Sequence, residues 1–370
     1  MNFKGNFSAT AIGSLPHTDI GTACELMFKS LPEIPCWPQL PKISAKEEMC
    51  IQYTEGLPCI KIHEDGKTVS IDVSEDTSGA LAGFYETYLK NNPDLFQISR
   101  DCAIGFYAMI DRLNKSPQKS LRAVKGQVVG PITLAGSLKL STGITALYSE
   151  EFFDVIIKLI SMKAYWQFTK LSQYGLPVII FADEPYLTSF GSAFMNIGRE
   201  RAISALNEVY ETVQTHGGLT GTHCCGNTDW AMLMDSKVDI VSFDAYEFMD
   251  KYLMYWREIK AFLDRGGYLA WGIVPTSSEV IRDTDVKWAL EDVKWNIVRT
   301  SPKVTSVSLN DLVKKLEEGI QFLAGKGLSK TLIKERSIIT PSCGTGTLTI
   351  EEAERVMTLT HEVSAVMKNK

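Results

Sequence analysis

No stretch of this sequence is apolar for long enough to cross a bilayer: the longest such run, around residues 177–182, falls far short of the roughly 20 residues a spanning helix needs. Residues 1–14 also lack the uninterrupted apolar stretch of a signal peptide, so the expectation is a cytoplasmic protein with no membrane partner. Basic charge is not concentrated anywhere. Lys and Arg number 38 against 44 Asp and Glu, for a formal net charge of −6, which argues against an electrostatic footprint for nucleic acid or anionic lipid. Cysteine is sparse as well: eight in 370 residues cannot build a disulfide scaffold, and no C-x-x-C pair suggests thioredoxin-like redox chemistry. Cysteines that matter here are therefore ligands or nucleophiles.

What is present suits a globular enzyme acting on small molecules. Hydrophobic residues make up 45% and charged ones 22%, enough for a full core and unlike a disordered chain. β-branched runs recur at 9–14, 123–130, 177–183, 219–223, 238–244, 268–274 and 337–341, and each stops at glycine or a polar residue. Between them lie helical patterns at 151–174, 199–216, 252–265 and 309–324. Strand then helix, repeated, predicts an α/β fold of the (β/α)8 TIM-barrel type with insertions, its eighth strand near 35–40; an open doubly wound sheet is the competing architecture. The chain reads as one domain, 1–370, with insertions or rim elements at about 53–114 and 276–336, the first containing a hairpin at 60–73. Thr349 and Glu352 form a capping box that starts a terminal helix running to about Val366. His361 within that helix reads as structural, and His63 as a solvated loop residue.

In such barrels chemistry gathers where the strands end, and the endings here are unusual. One is Gly221-Thr222-His223-Cys224-Cys225-Gly226. In extended backbone His223 and Cys225 project to one side, leaving Cys224 for packing. An isolated His-x-Cys is more often plain core. Zinc, however, favours imidazole with thiolate, and a catalytic zinc usually keeps three protein ligands and one open position. Cys343, between Pro341 and Gly344 at the last strand's end, is the natural third. Asp244, ending the strand after that of His223, is a weaker fourth.

Taken in order, Ala11-Ile12-Gly13-Ser14, Gly130-Pro131-Ile132-Thr133, Asp183-Glu184-Pro185, His223-x-Cys225 and Pro341-Ser342-Cys343-Gly344 resemble the catalytic barrel of cobalamin-independent methionine synthase. The wider superfamily also holds coenzyme M methyltransferases and uroporphyrinogen decarboxylase. The resemblance spans residues 10 to 344 and implies a zinc-dependent methyltransferase acting on a thiol such as homocysteine, in methionine synthesis. It implies His223, Cys225 and Cys343 as zinc ligands, Asp183 as partner of the acceptor's ammonium, and the backbone of Ile12, Gly13 and Ser14 as the cradle of its carboxylate. Glu184 is a further catalytic candidate, with helix capping as its alternative role.

The departures from that family are informative. Its fourth ligand is a glutamate where this chain has Asp244, one methylene shorter, with Glu247 as a possible substitute. A tryptophan that packs on folate is replaced by Leu134-Ala135-Gly136-Ser137, and the family's N-terminal barrel is missing. The expected methyl donor is therefore a methylcorrinoid, on a partner corrinoid protein, or a small methylated compound, rather than methylfolate. A uroporphyrinogen decarboxylase would need arginines for many carboxylates, and residues 35–42 have none. A coenzyme M sulfonate would prefer Arg or Lys to Asp183. A metal-holding barrel without turnover is the non-enzymatic alternative.

Overall fold

Seven parallel strands form one curled sheet, in the spatial order Ser8–Ala9, Ser337–Pro341, Tyr268–Val274, Ile240–Phe243, Leu219–Cys224, Val178–Asp183, Val124–Val129. The structure is a computed structural model that describes residues 3–63, 68–73, 76–115, 119–192, 195–276 and 306–370. Its strands are β1 (Ser8–Ala9), β4 (Val124–Val129), β6 (Val178–Asp183), β7 (Leu219–Cys224), β8 (Ile240–Phe243), β9 (Tyr268–Val274) and β10 (Ser337–Pro341). A separate sheet joins β2 (Ile60–Ile62), β3 (Val69–Ile71) and β5 (Lys139–Leu140); β2 and β3 are the expected hairpin, paired antiparallel. All seven expected runs thus contribute strands, although the first is regular only at Ser8–Ala9.

The strands are apolar on both faces because both are covered. Alternate residues such as Ile179, Phe181, Ile240, Ala270 and Ile338 form one cluster on the concave face. Their neighbours Ile180, Val241, Trp271 and Ile339 face a helical layer. That layer includes α1 (Ile20–Ser30), α3 (Ile104–Lys115), α4 (Pro131–Ser137), α5 (Glu150–Ser172) and α6 (Arg199–Gln214). Further round, α8 (Ala245–Leu253), α9 (Trp256–Asp264), α10 (Leu309–Gly325) and α12 (Ile350–Lys368) follow. The single helix expected over 252–265 is broken, since α8 stops at Leu253 and α9 begins at Trp256. The capping box at Thr349 and Glu352 is formed. Within the expected insertion at 53–114, α3 buries Phe106, Met109 and Leu113 and packs beside α1. Of the expected 276–336 rim, residues 277–305 lie outside the described residues, and the remainder includes α10.

Between the two edges of the sheet runs the segment 35–39. Lys125 on β4 donates its amide to Pro35 at 2.9 Å and Cys36 bridges Lys125 in parallel. At its other end Gln39 bridges Ser14, its amide donating to Gly13 at 3.0 Å while the Leu15 amide donates back at 2.9 Å. No described helix is long and apolar enough to span a membrane.

Strand register depends on tight inner packing. A Cβ at Gly221 would overlap the Phe181 ring on the adjacent strand. Gly221→Ala should therefore destabilise the fold by about 1–3 kcal/mol, the usual cost of overpacking. Chemical denaturation checks this, and an unchanged midpoint would contradict the packing described.

Candidate metal and substrate site

Strand register aligns one residue from each strand around the concave face: Ser8, Ile338, Ala270, Ser242, His223, Asp183 and Val129. Three of these, Asp183, His223 and Ser242, are polar and buried on consecutive strands. Hydrogen bonding fixes the imidazole. Nδ1 of His223 lies 3.0 Å from Ser242 Oγ, while Nε2 is buried without a hydrogen-bond partner. An orphaned buried nitrogen costs stability unless a ligand fills its lone pair or takes its proton.

Ligand atoms of His223, Cys225 and Cys343 lie within 4.8 Å of one another, a separation that two bonds of about 2.3 Å to a common ion nearly span. Cys225 reaches the group by stepping just past β7. Cys343 reaches it because β10 shifts register between Thr340 and Pro341, and the chain beyond is tethered through Ser342. The Ser342 amide donates to Val274 at 2.8 Å and its hydroxyl accepts from the Thr276 amide at 3.2 Å. Two sulfurs, one available imidazole nitrogen and a hydroxyl holding the other nitrogen suit a thiophilic ion such as zinc.

Asp244 lies outside this trio. Its Oδ1 accepts the Glu247 amide at 2.9 Å as the N-cap of α8, the ordinary role of an aspartate at a helix start. Glu247 sits in the first turn of that helix and likewise does not join the group among the described residues.

Asp183 ends β6 next to His223, with Oδ1 buried and unpartnered. Burial pushes its carboxyl above the usual range, while Lys125 and His223 pull it back toward ionisation. Glu184 has a different surrounding. Its carboxylate accepts the Ile132 amide at 2.9 Å, the Thr133 amide at 2.7 Å and the Thr133 hydroxyl at 2.5 Å. It therefore caps α4, whose own N-cap, Gly130, has no side chain. Burial pushes Glu184 up to about 7, against the hydrogen bonds that favour its charged form. Both oxygens are engaged by the protein, which makes Glu184 a capping residue from the neighbouring strand-helix unit.

The segment Ile12 to Ser14 is bound through its carbonyls. Lys125 Nζ donates to Ile12 at 2.8 Å, the Gln39 amide to Gly13 at 3.0 Å, and the Thr345 amide to Ser14 at 3.0 Å. Ser14 Oγ accepts the Gly346 amide at 3.2 Å, linking this segment to the loop after Cys343. Gly13 has φ of +148°, and a Cβ there would crowd the Gln127 and Gln39 side chains. Lys125, Gln127 and Gln39 are three buried polar residues that the sequence reading passed over. Their signal was a Lys and a Gln inside the otherwise apolar run 123–130.

No protein-family model matches the chain, and no curated protein sequence matches it. Among solved structures, it is similar to a B12-independent methionine synthase from Shewanella sp. W3-18-1 in complex with selenomethionine. The TM-score is 0.59 at 13% sequence identity, over 98% of this chain and 98% of that one. At that identity the likeness establishes a shared TIM-barrel-like fold.

If the trio holds zinc, Cys225→Ser and Cys343→Ser should each lose most bound metal, as measured by elemental analysis after gel filtration. Ser242→Ala should lower metal affinity about 10- to 100-fold by releasing the imidazole, the usual effect of losing such a support. Equal metal retention in all three variants would contradict the site.

Proposed function

We propose that this protein is a zinc-dependent methyltransferase that moves a methyl group to a small thiol, with homocysteine as acceptor. One observation carries the reading: His223, Cys225 and Cys343 converge, with His223 Nε2 unpartnered, next to the unpartnered carboxylate oxygen of Asp183. The full-length fold likeness to a methionine synthase supports it. We read the sheet as an eight-stave barrel, with segment 35–39 as the remaining stave, so that these residues share its C-terminal mouth.

His223, Cys225 and Cys343 would hold the ion, which supplies a way to keep an acceptor thiol ionised at neutral pH without a strong base. Asp183 takes the ammonium of the acceptor. With their carbonyls turned into the protein, Ile12, Gly13 and Ser14 offer backbone to its carboxylate. Transfer forms a sulfur–carbon bond and breaks the donor's bond to the methyl, whose electron pair leaves with the donor, and the thiol proton passes to solvent.

The donor in this reading is a methylcorrinoid carried by a partner protein. Leu134-Ala135-Gly136-Ser137 stands where the resembling family has a folate-stacking tryptophan, and Gly136 within it is buried against the Tyr186 ring. That removes an exposed aromatic shelf for a pterin. A corrinoid needs an open mouth more than a shelf.

Product methionine, measured with methylcobalamin and with 5-methyltetrahydrofolate at matched enzyme concentration, tests the proposal. Slow zinc-dependent transfer from the corrinoid and none from the folate is expected; efficient folate transfer would overturn the donor assignment. Asp183→Asn should weaken homocysteine binding about 10- to 100-fold, the worth of a charged hydrogen bond, with zinc content unchanged. Unaltered homocysteine affinity would mean a different acceptor.

A further inference from the structure

Three more buried hydroxyls on the concave face lack a hydrogen-bond partner among the described residues, those of Ser8, Thr10 and Thr340, and the last two, at 1% and 0% exposure, lie toward the strand ends. Both sides of the β1–β10 pair contribute one. Ala9 pairs with Ile339 and both face the outer layer, so Thr10 and Thr340, one residue further on, turn inward side by side. Thr340 is two residues beyond Ile338, a member of the inner cluster. A threonine in a strand usually satisfies its hydroxyl or faces solvent, and two adjacent orphans under the mouth of the site are a costly arrangement for packing alone.

A buried cation lies close by. Lys125 is fully buried, its ammonium 4.6 Å from the Phe181 ring centroid on the same face. Its hydrogen-bond acceptors are both neutral: the Ile12 carbonyl at 2.8 Å and Gln127 Oε1 at 3.2 Å. Ile12 is two residues from Thr10 along the same strand direction. This part of the face therefore combines two unused hydroxyl donors with a buried lysine whose hydrogen-bond acceptors are neutral, and Asp183, on the strand next to that of Lys125, is the carboxylate within its electrostatic reach.

We infer that Thr10 and Thr340 form an anion subsite, donating to the carboxylate of an α-amino-acid ligand whose ammonium meets Asp183. The inference rests on the acceptor reading above and extends it to residues within the sheet. Lys125 acts as a positioning residue, holding Ile12 and lending positive potential to the subsite. The pair confers preference for an amino acid over an amine of the same length.

Calorimetric titration of the zinc-loaded protein with homocysteine and with 3-aminopropane-1-thiol, which lacks only the carboxylate, tests this. Wild type should prefer homocysteine, and Thr10→Val and Thr340→Val should each erode that preference about tenfold, leaving the affinity for the aminothiol unchanged. Thr340→Ser should retain it. Because Val removes an orphaned hydroxyl at constant shape, the ligand-free Val variants should melt no lower than wild type. Full preference for homocysteine in the Val variants would overturn the subsite while leaving the acceptor reading intact. Failure of wild type to bind either thiol would overturn both.

Discussion

Ser242 decides what His223 can do. By engaging Nδ1 at 3.0 Å it leaves Nε2 as the ring nitrogen without a hydrogen-bond partner, and it orients the ring at the same time. That single contact depends on register. Ser242 and His223 are partners on adjacent parallel strands, so a slip of one residue would turn one of them into the helical layer. The inner packing that holds the register, with Gly221 against Phe181, is thus as much a part of the site as the ligands are.

A second consequence concerns stability. The concave face buries Lys125, Asp183, His223, Thr10 and Thr340, and four of these five carry a polar atom without a hydrogen-bond partner. Apolar residues of similar shape would make a more stable sheet. The remainder of the fold offsets the cost with an extensive outer layer, in which Phe243 stacks on Tyr252 at 3.7 Å and α5 buries most of its length. Destabilising polar groups collected at one end of a well-packed sheet are what a preorganised binding site requires.

The strands were legible because parallel strands covered on both faces must be short, apolar and abruptly ended, and the run 268–274 appears as β9 with those bounds. His223 and Cys225 were legible from alternation along one strand. Cys343 was legible as the end of the last strand, whereas the register shift at Pro341 and the Ser342 tether that accompany its approach were not. Asp244 shows the opposite limit. In sequence it looks like a weaker fourth ligand because it ends the next strand; in the structure its Oδ1 caps α8, and the close trio is made by His223, Cys225 and Cys343. Glu184 was readable as a cap, but the helix it caps is α4, begun some fifty residues earlier on the neighbouring strand, and no local pattern reveals that. Lys125 was passed over because a lysine inside an apolar run reads as a strand edge until the fold closes around it.

The central claim is that one imidazole nitrogen and two thiolates bind a metal with room for an incoming thiol. Zinc-edge X-ray absorption on the loaded protein, with and without homocysteine, tests it most directly. The account predicts a first shell containing two sulfurs at about 2.3 Å and one imidazole nitrogen, rising to three sulfurs when homocysteine is added. A shell without sulfur, or a sulfur number indifferent to homocysteine, would contradict it.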